Sequence, residues 1–87
     1  MSKVRIGLVG AGNIANTHMT NYQNVTDAEV VAICDIDKGK AERLAKKYGV
    51  EKFYGSIEEM IASETLDAVD VCVWNVNHAK CAIYAME

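Results

Sequence analysis

Eighty-seven residues, 51% hydrophobic and 24% charged with a formal net charge of −3, read as one globular unit and exclude a disordered chain. No apolar run approaches the ~20 residues of a membrane span. Lys46-Lys47 is the only adjacent basic pair, a solvated helix face, so the acidic balance also excludes a nucleic-acid surface. The N-terminus passes directly into a strand pattern and leaves no room for a signal peptide, which places the protein in the cytoplasm. Cys34, Cys72 and Cys81 are odd in number and widely spaced, so neither a disulfide framework nor a metal site is expected. Cys34 and Cys72 fall inside apolar strand runs, where cysteine acts as a small hydrophobe.

The first predicted element is a strand over Val4 to Val9, mostly apolar and rich in β-branched residues, as suits a parallel strand covered on both faces. It runs into Gly10-Ala11-Gly12-Asn13-Ile14-Ala15, a G-x-G-x-x-A turn, and a helical pattern follows from Asn13 to Gln23. That order is what a dinucleotide-binding turn requires. Gly10 lets the chain leave the strand tightly, and Gly12, lacking a Cβ, lets a pyrophosphate approach the backbone. Ala15 is small enough to keep the helix near the strand, and the helix N-terminus favours anions. His18, on this helix, reads as a packing or hydrogen-bonding residue.

A second strand, Glu29 to Cys34, ends in Asp35, which lies 25 residues beyond Gly10. An acidic side chain ~20 residues after the glycine turn meets the adenosine ribose in such folds. Its two oxygens can accept from both ribose hydroxyls and would repel a 2′-phosphate, so NAD is favoured over NADP. Asp37 reads as the cap of a helix over Lys38 to Tyr48, whose Ala41, Leu44, Ala45 and Tyr48 form a buried stripe. Gly49 supplies the left-handed position after it.

A short strand over Lys52 to Tyr54 precedes Ser56-Ile57-Glu58-Glu59, an S-x-x-E capping box that opens a short helix through Ser63. Ala68 to Trp74 is the fourth strand. Residues 79–86 then repeat Ala79, Ala82, Ile83 and Met86 at helical spacing, with Asn77 as a possible cap. The alternation predicts a truncated α/β Rossmann fold, a parallel four-stranded sheet in order 3-2-1-4 with helices on both faces. In that order a crevice opens between strands one and four.

VRIGLVGAGNIANTHMTNY, VVAICDIDKGKAERLAKKYGV, FYGSIEEMI and LDAVDVCVWNVNHAKCAIYAME together resemble the opening of the glucose-fructose oxidoreductase and inositol dehydrogenase (Gfo/Idh/MocA) family. The resemblance covers the whole chain. It implies an N-terminal NAD(P)-binding domain of a two-domain oxidoreductase acting on sugars, polyols or related compounds. By that similarity Gly10, Gly12, Asn13 and Ile14 border the pyrophosphate, and Asp35 takes the ribose. Asn75 and His78 lie where the family lines the nicotinamide side. Trp74 stands at the family's frequent proline.

The sequence ends at Ala85-Met86-Glu87, just where the family's motif with its catalytic lysine begins. Residues 1–87 are therefore expected to be a partial dinucleotide-binding domain without a substrate domain, catalytically incomplete. No catalytic residue is assigned: His78 is the one candidate base near the crevice, and a lone histidine is more often structural. A competing expectation is an inactive folding module. Its fourth strand, Ala68 to Trp74, would form an exposed apolar edge and pair two copies as a homodimer.

Overall fold

Strands that are apolar on both faces need helices on both sides, and the chain supplies them in alternation. The computed structural model describes residues 3–10, 12–74 and 79–86. Its elements run β1 (Val4–Val9), α1 (Asn13–Gln23), β2 (Ala28–Cys34), α2 (Lys38–Tyr48), β3 (Lys52–Tyr54), α3 (Ile57–Ser63), β4 (Ala68–Trp74) and β5 (Ala79–Ala85). The sheet order is β3-β2-β1-β4-β5. β1 pairs in parallel with β2 and β4, and β2 with β3, so the first four strands stand in the expected 3-2-1-4 order.

The C-terminal end departs from expectation. Residues 79–85 form a strand instead of a helix, antiparallel to β4 from Ala68↔Ala85 to Trp74↔Ala79. The sheet is therefore five-stranded and mixed, not four-stranded and parallel. The outer edge of Ala68 to Trp74, expected to be open for a second copy, is occupied by β5 of the same chain. The physical reason is the strand edge. A helix over these residues would need its own cap and buried stripe, as α3 has in Ser56 and Met60, whereas the outer edge of β4 offers backbone groups that pair along seven register positions. Met86 extends the pairing by donating its N–H to the Asp67 carbonyl at 2.9 Å. Ile83 and Tyr84 are both more than half exposed, so backbone pairing rather than side-chain burial supports this part of β5.

The sheet separates two apolar layers. On one side Ile6, Leu8, Val30, Ile33, Ala68 and Cys72 pack against Ala15 and Met19 of α1 and Ala41, Leu44 and Ala45 of α2. On the other, Ala32, Cys34 and Val69 surround Met60 of α3, which is fully buried. β2 reaches both layers by alternation of its side chains, with one shift of register between Ile6↔Val30 and Gly7↔Ala32. Val31 is the extra residue, a bulge that puts Val31 and Ala32 together on the α3 side. Among the described residues no helix is long and apolar enough to cross a membrane.

The helix ends differ in a way that bears on the site. Asp37 caps α2, its Oδ1 accepting from the N–H groups of Gly39 (3.0 Å) and Lys40 (3.3 Å), and Gly49 closes the helix at φ 73°. Ser56 caps α3 by accepting from the N–H of Glu59 at 3.1 Å. α1 starts at Gly12 with no side-chain cap. Replacing Asp37 by alanine removes both cap bonds and is expected to lower stability by about 1 kcal/mol in a denaturant titration.

Candidate functional site

β1 hands the chain to α1 through a contact that admits no side chain. Gly10 sits at φ 96°, and a Cβ built on it would lie 2.1 Å from the carbonyl oxygen of Cys72 on β4. Backbone meets backbone there, so neither side can yield cheaply. Gly10 also donates its N–H to the Cys34 carbonyl at 2.7 Å. The turn is thus braced between the ends of β2 and β4.

Gly12 is a glycine of another kind. Its φ of −89° is open to any residue, and a Cβ added to it would meet nothing within 4 Å. The protein's own packing does not require glycine here; space outside the backbone is what the missing side chain provides. Behind it α1 begins with orphan N–H groups, which no side chain caps. Asn13 and Ile14 are the first two residues of that helix. Gly12 borders a hollow of about 290 Å³ with Asn16, Lys40, Arg43 and Lys47, so this flank of the turn is cationic.

A larger cleft of about 550 Å³ opens at the C-terminal ends of the parallel strands. Val9 and Gly10 of the turn, Cys34 and Asp35 after β2, and Val71 and Cys72 of β4 line its floor; Ser56, Ile57 and Glu58 form the α3 wall. The crevice expected between strands one and four is therefore present, and it extends across β2 to α3. Asp35 is half-buried at the end of β2. Its Oδ1 accepts from the N–H of Asp37 at 2.8 Å and its own N–H donates to the Tyr54 carbonyl at 3.1 Å, which fixes the carboxylate at the cleft. Ile36 beside it is 98% exposed.

Cys34 records the electrostatics of this corner. Burial pushes its thiol up, and the carboxylates of Asp35, Glu58 and Glu59 add to the effect, to about 11. The thiol is therefore protonated and inert at neutral pH.

The structure brings Gly10 and Asp35 into one cleft and sets Gly12, Asn13 and Ile14 at the adjoining helix start. Asn75 and His78 lie outside the described residues. His18, read as a packing or hydrogen-bonding side chain, makes such a bond: its Nδ1 is 2.6 Å from Oδ2 of Asp70.

Asp70 escaped the sequence reading. It is fully buried in the middle of β4 and also accepts from the Tyr22 hydroxyl at 2.9 Å, with the Cys72 Sγ 3.7 Å from its other oxygen. Asp70 Oδ2 is thus shared by the His18 ring and the Tyr22 hydroxyl, both of them on α1. The signal was an aspartate alone in an apolar strand, since a charge there is tolerated only when partnered. These bonds tie α1 to β4 beneath the glycine turn.

A glycine turn, an uncapped helix start and a strand-end carboxylate at the C-terminal edge of a 3-2-1-4 sheet define a dinucleotide-binding protein of the Rossmann class. The family model of oxidoreductases with an NAD-binding Rossmann fold (Gfo/Idh/MocA) matches residues 4–87, and the chain belongs to that family. It is 35% identical over 80 residues to a myo-inositol 2-dehydrogenase of Thermotoga maritima, covering 92% of this chain and 24% of that protein. It is 33% identical over 87 residues to a D-glucoside 3-dehydrogenase of Escherichia coli K12, covering 99% and 25%. Among solved structures it resembles a scyllo-inositol dehydrogenase of Lactobacillus casei with bound NAD(H) and scyllo-inositol. That match has a TM-score of 0.72 at 25% identity and covers 80% of this chain and 21% of that one. The chain thus spans about a quarter of the length of the curated relatives it matches.

Two outcomes follow from this geometry. Asp70→Ala leaves the His18 Nδ1 and the Tyr22 hydroxyl without their shared partner and is expected to cost about 1–3 kcal/mol in chemical denaturation. Cys34 is expected to resist alkylation by iodoacetamide at pH 8 in the folded chain and to react on unfolding. Because its folded pKa is raised, its contribution to stability is full below the ordinary thiol value and is lost as pH rises toward about 11.

Proposed function

We propose that this chain is the NAD-holding part of an oxidoreductase that moves a hydride between a sugar- or polyol-type hydroxyl carbon and the nicotinamide. The observation that carries the reading is the pair formed by the open, uncapped Gly12 helix start and the Asp35 carboxylate at the same strand edge. The names of the relatives, which act on inositols and a glucoside, support the substrate class.

The residues fit the dinucleotide. Gly10 shapes the turn, while Gly12, Asn13 and Ile14 present backbone N–H groups to the pyrophosphate. Asp35 accepts from the ribose hydroxyls and disfavours a 2′-phosphate, which selects NAD over NADP. Asn75 and His78 are assigned to the nicotinamide side on the family resemblance. NAD, when bound, supplies the hydride acceptor, and the protein's part is to hold and orient it. We assign no general base to residues 1–87 and propose that they are a partial dinucleotide-binding domain, in keeping with a chain that spans about a quarter of its relatives' length. We also propose a cytoplasmic setting, in keeping with Cys34 and Cys72 being buried as thiols.

The test is a calorimetric titration with NADH and NADPH. Binding that prefers NADH, with the preference lost in Asp35→Ala, is expected. Gly12→Ala should leave the melting temperature nearly unchanged and weaken NADH at least tenfold, whereas Gly10→Ala should destabilise the fold itself. A folded chain that binds neither dinucleotide would overturn the reading.

A further inference from the structure

Asp35 is not the only carboxylate at the cleft. Glu58, on the first turn of α3, lines the same cavity from its α3 wall. It is exposed and forms no ion pair among the described residues, so no neighbouring cation neutralises it. Lys38, the cation packed along Gly55 nearby, holds its ammonium 5.8 Å from the centre of the Phe53 ring and does not line the cleft. The end of β2 therefore faces negative charge from two residues.

We propose that Glu58 is a second specificity-determining residue, acting with Asp35 in the same cleft to exclude a dinucleotide carrying a phosphate on its adenosine ribose. The inference rests on the assignment of the cleft to NAD.

A ribose hydroxyl is neutral, whereas a monoester phosphate carries a charge of about −1.5 to −2 near pH 7. Asp35 touches the ribose directly, so its choice is made by hydrogen bonding as well as by charge. Glu58 need not touch the sugar. It lines the cleft that Cys34 floors, and after burial and Asp35 it is among the groups that push that thiol up. In a partly solvated cleft a charge several ångströms from a dianionic group shifts binding by a few-fold, and salt screens the effect. The charges of Glu58 and Glu59 also complement the positive end of α3, so that terminus does not present itself as a phosphate seat.

The experiment compares Kd for NADH and NADPH in the parent chain and in Glu58→Gln, Glu58→Lys and Glu51→Gln, each shown to be folded by circular dichroism. Glu51, just before β3, lies at the opposite end of the sheet from the cleft and controls for net charge. Glu58→Gln is expected to tighten NADPH about three- to tenfold relative to NADH, and Glu58→Lys to tighten it further. Both gains should shrink in 0.5 M salt, while Glu51→Gln leaves the ratio unchanged.

An unchanged NADPH/NADH ratio in both Glu58 variants, while Asp35→Ala still alters it, overturns the role of Glu58 and leaves the NAD assignment standing. An equal shift in Glu51→Gln overturns it as well, by reducing the effect to net charge. Failure of the folded parent to bind either dinucleotide overturns the assignment and this inference together.

Discussion

Between the end of β1 and the middle of β4 there is no room for a side chain. The 2.1 Å that would separate a Cβ on Gly10 from the Cys72 carbonyl means that the two strands close on each other through bare backbone. Everything functional hangs from that closure. It directs the chain outward at φ 96°, sets the start of α1 above the sheet edge, and leaves the cleft floor to be completed by β2. The bond from the Gly10 N–H to the Cys34 carbonyl joins the end of β2 to the same point, so the turn and the Asp35 carboxylate are positioned by one junction.

Two glycines two residues apart illustrate how a motif divides its tasks. Gly10 is required by the protein, because its conformation and its neighbour both forbid a side chain. Gly12 is required by nothing among the described residues, and its open flank is bordered by α2 cations. A consensus pattern treats the two alike. The structure separates the one that builds the turn from the one that leaves space for what binds there.

The core of this arrangement was legible in the sequence because it rests on local chemistry. The glycine turn, the Asp37 and Ser56 caps, the Gly49 stop and the α2 stripe each depend on neighbours within a few residues, and α1, α2, β3, α3 and β4 fall where their patterns place them. What local pattern could not decide was competition between distant segments. Residues 79–85 have helical spacing, but the unpaired edge of β4, set by strands far away in the chain, takes them up as a fifth strand. Asp70 was illegible for a related reason: its partners His18 and Tyr22 lie 52 and 48 residues away. A strand pattern records that a charge is present, not what meets it.

The two margins of the sheet are unequal in consequence. At the β3 margin, Phe53 and Tyr54 pack against separate apolar layers. At the β5 margin the described outer residues, Ile83 and Tyr84, rest largely in solvent. What β5 gives the sheet is backbone cover more than core: β4 is paired along seven positions, so the side of the sheet away from Asp35 presents the edge of β5 and not the apolar fourth strand.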